Sequence, residues 1–246
     1  MNNLSASELL NIWEQGRSKT LASQALLLLS ASCPETPIDT LAELSIGHRD
    51  ALLLTLREKT FGQPLNGIST CPECGEQLEL TMKVADILVE KKIGPNRELT
   101  TTIDSYEVKF RLPDSTDIAF LDETIDMATA RQEINDRCIL SICDTSESKE
   151  ISIDGLPVEV MNEILDRIAK ADPQADILID LSCPSCSKEW QMGFDIVSFF
   201  WSEINTWAYR ILYEVRNLAM AYGWSERDIL AMSPWRRQIY LEMMNG

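Results

Sequence analysis

One short motif recurs at long range in this chain, and that recurrence constrains the fold more than any other feature. "CPEC" (Cys71–Cys74) and "CPSC" (Cys183–Cys186) each place two cysteines three positions apart, with proline after the first. The offset between them is 112 residues, so Cys71 aligns with Cys183, Pro72 with Pro184, and Cys74 with Cys186. Leu78 then aligns with Trp190, and Leu80 with Met192. Each knuckle runs into period-two alternation, Leu78/Leu80/Met82 and Trp190/Met192/Phe194, the pattern of a half-buried strand. Four thiolates from two such turns predict the closed tetrahedral shell that Zn²⁺ takes in structural sites. Two other readings stand beside it. A C-P-x-C pair can carry thiol–disulfide exchange, although that chemistry expects one pair in a strand–CxxC–helix setting. The cysteines can also be plain core residues. A catalytic zinc is disfavoured, because a fourth cysteine occupies the position that water would need. The single His48 is not required as a ligand, and Cys33, Cys138 and Cys143 lack partner spacing and read as small core residues.

Ligand pairs separated by 108 residues would close the base of a long insertion. The predicted fold is therefore α+β and mainly helical, built around a split Cys₄ zinc ribbon. Its segments are residues 1–68, helical; 69–90 with 181–195, the ribbon; 91–180, an acidic α/β insertion; and 196–246, helical and aromatic. Within the first segment, Ser5 or Ser7 can cap "SELLNIWEQ", and Leu21, Ala25, Leu28 and Leu29 share a helical face. "IGHRDALLLTLREK" predicts a helix ending near Phe61-Gly62. In the insertion, "IGPNRE" (Ile93–Glu98) reads as a turn and Tyr106–Pro113 as a strand. A helix is predicted after the cap cluster Asp114–Thr116, with Ile118, Leu121, Ile125 and Ala128 at helical spacing in a stretch running to "CILSIC". Another is predicted with Val158, Met161, Leu165 and Ile168 inward, and "ILIDLSC" reads as a strand entering the second knuckle.

Charge is uneven. The chain carries 22 Lys+Arg and 39 Asp+Glu, or −17. Residues 113–180 hold 17 acids and 5 bases, whereas residues 201–246 hold five of each. That field repels polyanions, so nucleic-acid binding is disfavoured. A zinc-ribbon regulator would need a basic ribbon face, but Glu73, Glu76, Glu79, Lys83, Lys188 and Glu189 surround the knuckles. The start, "MNNLSASELL", has no basic n-region, and Glu203, Arg210, Glu214 and Arg216 interrupt the long apolar stretch near the end. A soluble, cytoplasmic protein is expected. No phosphate-binding glycine loop appears, and one histidine without a GxSxG leaves little for a hydrolase. Binding or assembly is the expected class, not catalysis.

From Phe200 a long helix is predicted with the stripe Phe200, Ile204, Trp207, Ile211, Val215, Leu218 and Tyr222. Ser225 and Ser233-Pro234 then cap two short helices. As a set, "IGHRDALLLTLREKTFG", "YEVKFRLP", "CPSCSKEWQMGFDIVSFFWSEI" and "LAMAYGWSERDILAMSPWRRQIYLEMM" resemble the baseplate hub assembly chaperone family of contractile, T-even-type phage tails. Members also occur with related contractile injection systems. The likeness runs from about Leu9 to Met244, and its most specific part is Tyr222-Gly223-Trp224-Ser225-Glu226 with Arg236-Arg237 and Tyr240-Leu241-Glu242. The resemblance implies a non-catalytic factor that binds a baseplate hub, spike or tube protein. Trp224, Trp235, Arg236, Arg237 and Tyr240 are the expected partner-binding residues, and Cys71, Cys74, Cys183 and Cys186 the expected zinc ligands. A structural baseplate component retained in the particle is the alternative.

Overall fold

The computed structural model describes residues 1–89, 98–121, 126–147 and 149–244. It is a mixed α/β chain whose contacts divide into two units, one of residues 1–35 with 196–246 and the other of residues 36–195. The two ends of the chain thus share a unit, a grouping that the linear segments of the sequence did not express.

In the terminal unit, α1 (Ala6–Gly16) starts at Ser5, whose hydroxyl and the Glu8 carboxylate form a reciprocal capping box. Thr20 caps α2 (Leu21–Ser32). On α2, Ala25, Leu28 and Leu29 are fully buried, whereas Leu21, at the exposed first turn, is not.

The middle unit begins with α3 (Ile38–Ala42) and α4 (Ile46–Phe61), the latter capped by Ser45 and ended by Gly62 at φ +90°. Three antiparallel groups follow. β1 (Pro64–Thr70) pairs with β2 (Gln77–Lys83), and the short α5 (Val84–Ile87) succeeds them. β3 (Leu99–Ile103), β4 (Tyr106–Phe110), β5 (Ile139–Asp144) and β6 (Lys149–Glu150) form a meander. Between β4 and β5 lie α6 (Ser115–Phe120) and α7 (Met127–Cys138), and α8 (Val158–Ala171) follows β6. Finally β7 (Ile177–Ser182) pairs with β8 (Glu189–Phe194).

Several expectations need correction. The stretch from Asp114 to "CILSIC" is not one helix. Asp114 caps α6 and Asp126 caps α7, each through its own carboxylate, and residues 139–144 are strand. Ile125, and all but Glu98 of the turn expected at Ile93–Glu98, lie outside the described residues. β5 wins over helix because Ile139 and Ile142 find a sheet partner. Register slips at Lys109/Phe110, where Ile139 and Ser141 meet adjacent residues and Leu140 is left over. Such a bulge lets residues three apart face the same core. That core is Ile103, Val108, Ile139, Ile142, Val160 and Ile164. On α8 the buried line is therefore Val160 and Ile164, with Met161 and Ile168 beside it, while Val158 is 70% exposed. The strand expected to reach Pro113 stops at Phe110, which frees Arg111 to pair with Asp117.

α4 anchors the cysteine-bearing segments. Its Gly47 N–H donates to Asp172 Oδ2 at 2.8 Å, so a carboxylate sits at the positive end of the helix. Asp172 opens the 3-10 turn Pro173–Ala175 that leads into β7. Gln174, buried, accepts from the Val89 N–H at 2.6 Å and donates to the Ile87 carbonyl at 3.3 Å. The segments entering β7 and leaving β2 are thereby tied without any metal. A Cβ on Gly47 would overlap the Asp172 carboxylate and crowd the Ala175 N–H. Gly47→Ala is expected to destabilise the protein by about 1–3 kcal/mol through that overpacking, measurable by urea unfolding.

The terminal unit is completed by α9 (Ile196–Tyr222), α10 (Glu226–Leu230) and α11 (Pro234–Met244). α9 buries Ile196, Val197, Phe200, Ile204, Ala208, Ile211, Val215 and Leu218. Trp207 is half-buried and Tyr222 is exposed, so Ala208 replaces Trp207 in the expected stripe. Among the described residues, no helix is long and apolar enough to cross a membrane.

Candidate metal centre and partner-binding segment

The two knuckles are the same structure built twice. Every pair in the β7–β8 register, from Ile177↔Phe194 to Ser182↔Glu189, is a β1–β2 pair shifted by 112 residues. Cys71 N–H donates to the Glu76 carbonyl at 2.8 Å, and Cys183 N–H to the Lys188 carbonyl at 2.9 Å. Gly75 N–H returns to the Cys71 carbonyl, and Ser187 N–H to the Cys183 carbonyl, closing each turn. Both turns need a left-handed residue at the same place. Gly75 supplies it at φ +76° and Ser187 at φ +59°. Serine has a Cβ that disfavours this region, so the second knuckle holds mild strain that the first avoids.

The turns bring four sulfurs together, all within 4.8 Å of one another. Cys71 Sγ lies 3.6 Å from Cys186 Sγ, and Cys74 Sγ lies 3.6 Å from Cys183 Sγ. Exchanging the knuckles exchanges these two contacts, so the quartet has approximate twofold symmetry. The separation is far beyond a disulfide bond of about 2.05 Å. It fits thiolates placed about 2.3 Å from a common ion, which sit about 3.8 Å apart in a tetrahedron. Cys71 and Cys183 are buried, and Cys74 and Cys186 face outward. Both knuckles lead into strands, not into the helix that thiol–disulfide exchange would expect.

Electrostatics favour a cation here. Burial opposes ionisation of Cys71. The N–H groups of Cys74 and Glu73, with the neighbouring thiols, outweigh it and bring Cys71 down to about 7. At Cys74 the Glu76 N–H favours thiolate, but the sulfurs of Cys186 and Cys183 prevail and lift it to about 12. One thiolate forms readily and then discourages the next. A divalent ion held by the four sulfurs would remove that penalty by neutralising them together.

The other cysteines differ. Cys138 is buried beneath Asp117, and burial followed by that carboxylate pushes its thiol up to about 12. Cys33 and Cys143 are half-buried. His48 is not part of the sulfur cluster; burial lowers its pKa, and its Nδ1 has no hydrogen-bond partner.

The five expected partner-binding residues separate into two roles. Trp224 stacks on Tyr222, with ring centroids 4.5 Å apart, and meets Tyr240 edge-on at 4.7 Å. Both pack on the buried Val215, Leu218 and Ile229. Arg237 is only 3% exposed; its Nε donates to Glu214 Oε2 at 3.2 Å and its Nη1 to the Met232 carbonyl at 2.7 Å. Trp224, Arg237 and Tyr240 therefore fasten α10 and α11 to α9. Trp235, 76% exposed, and Arg236 face solvent. The i,i+1 spacing of the arginines already meant that they point about 100° apart. Which one turns inward depends on Glu214, 23 residues away.

Comparison with curated proteins and with solved structures finds no match. One family, described as T4 bacteriophage base plate protein, matches residues 4–201. That span includes both knuckles, the meander between them and the start of α9; the Tyr222–Glu242 stretch lies beyond it. With four-fifths of its length inside the match, the chain belongs to the T4 bacteriophage base plate protein family.

Proposed function

We propose that this protein is a non-catalytic assembly factor, a chaperone or adaptor, for the hub or spike of a contractile phage tail or tail-like injection system. The family match over residues 4–201 carries this reading. It acts in the cytoplasm during assembly and holds a hub, spike or tube protein. Zn²⁺ bound by Cys71, Cys74, Cys183 and Cys186 would serve as a structural staple between the two hairpins, and the quartet's 3.6 Å contacts support that ion. Trp235 and Arg236, both exposed, present an aromatic and a cation on neighbouring faces of the first turn of α11, residue types common at binding hot spots. The negative charge of the chain supports a protein partner over nucleic acid.

Deleting the gene should stall hub assembly, and mass spectrometry of purified complete tails should find the protein absent. Trp235→Ala with Arg236→Glu should weaken co-purification with the hub, spike or tube subunit at least about tenfold while leaving metal content unchanged. Wild-type binding by that variant would remove α11 from the contact. The family's description as a base plate protein favours one second reading, a structural component. Stoichiometric recovery in finished tails would select it.

A further inference from the structure

On the face of α9 opposite its buried stripe, the N-terminal half is polar (Ser202, Asn205, Thr206) and the C-terminal half carries large, largely apolar side chains. Tyr209 is 57% exposed, Tyr213 62% and Met220 74%, and Arg216 lies exposed between them. Their spacings of 4, 3 and 4 put all four within a narrow arc, the 3.5-residue repeat of a helix–helix seam. The seam is held rigidly. Ile204, Ala208, Ile211, Val215 and Leu218 bury the other side of the helix. Tyr209 meets the Trp13 ring edge-on at 5.5 Å, and Trp13 Nε1 donates to Asn205 Oδ1 at 2.9 Å. An aromatic anchor fixed as Tyr209 is loses little freedom on binding.

Charge identifies the occupant. Arg216 forms no ion pair among the described residues, and the neighbouring carboxylate, Glu214, is engaged by Arg237 at 3.2 Å. The terminal unit holds 7 Lys/Arg and 8 Asp/Glu, so −16 of the chain's −17 resides in the middle unit. Within an acidic protein, a tyrosine–methionine seam with a free cation at its centre fits a partner that brings a carboxylate. Covering Arg216 without one would strand a charge away from water. A second copy of α9 cannot supply it. The exposed face reads Ser202, Asn205, Thr206, Tyr209, Tyr213, Arg216 and Met220, with no acid.

We propose that this seam docks an amphipathic helix of another tail protein, apolar at seam positions and carrying an aspartate or glutamate opposite Arg216. The proposal rests on the base plate reading above and adds its recognition chemistry. The test co-expresses the full chain with the hub, spike and tube subunits of the same tail and measures affinity for whichever subunit binds. Tyr213→Ala with Met220→Ala, and separately Arg216→Glu, should each weaken binding at least about tenfold with the melting temperature unchanged. A photo-crosslinker at position 213 should label a helix of that subunit bearing a carboxylate. Changing that carboxylate to lysine should restore binding to Arg216→Glu. Affinity within about twofold of wild type for both α9 variants overturns the seam while the assembly function stands. A crosslink to a non-helical or acid-free segment, or to a second copy of this chain, also overturns it. Failure of the wild type to bind any of the three subunits overturns both readings.

Discussion

Serine in place of Cys74 is expected to lower the melting temperature of the metal-loaded protein by on the order of 10 °C. The outward-facing position matters, because Cys74 is exposed and its replacement removes a proposed ligand without opening a core. Structural zinc in small peptide domains has an apparent binding free energy of about 10–16 kcal/mol, expressed largely as folding. Here Gln174 and Gly47–Asp172 already tie the flanking segments, so only a fraction of that energy is at stake. A loss of about 3–5 kcal/mol, at about 2–4 °C per kcal/mol for a chain of this size, gives the figure. Each hairpin has only two strands, and such a unit is marginal alone. Hydrogen exchange should therefore rise in β1–β2 and β7–β8 together, although only one knuckle is changed. Elemental analysis finding no metal in the wild type, or identical melting of wild type and Cys74→Ser, would remove the staple from the account.

Asp117→Ala is expected to cost about 3 kcal/mol. This carboxylate has no exposed surface. Oδ2 and Oδ1 accept from the two Arg111 Nη groups at 2.6 Å each, and Oδ1 also accepts from Arg137 Nε at 2.8 Å. The Asp114 N–H adds a further contact at 3.1 Å. Losing one partner of a buried ion pair costs about 3–5 kcal/mol, and the residual solvent contact of both arginines places this case at the low end. Burial alone would raise the Asp117 pKa, but the Arg111 and Arg137 hydrogen bonds outweigh it and hold it at about 2. Against an unfolded value of about 3.9, its contribution is complete above about pH 4 and fades as pH falls toward 2. Asp50 runs the other way. Burial, opposed by Arg49, raises it to about 6, so its protonation stabilises the fold as pH falls from about 6 to 4. Thermal melts of wild type and Asp117→Asn from pH 2 to 8 read the first effect as a difference that closes only at the acid end. A difference independent of pH would show that Asp117 is uncharged in the fold.

The two clusters were not equally legible in the sequence. The cysteines announced themselves because a knuckle is local: two residues three apart, a turn and an alternating strand. The 112-residue repeat then carried the register of both hairpins. The Asp117 cluster left no such trace. It needs β4 to stop at Phe110, α6 to end at Phe120, and Arg137 to come back from α7. Those breaks lie in a stretch whose apolar spacing suited one helix, and helix and strand propensities there differ by less than the packing energy that chose between them.

What the sequence determined by itself was therefore the pairing of the four thiols, the strands beside them, the starts of α1, α6, α10 and α11 through their caps, and the balance of charge. The tertiary structure decided which faces those helices bury. It turned Arg237 inward to Glu214 and left Arg236 in solvent, and it set Val160 and Ile164 on the sheet while leaving Val158 outside. It also joined the first 35 residues to the last 51. Caps and knuckles are settled within a few bonds of backbone, whereas an inward or outward face depends on which distant surface arrives to cover it.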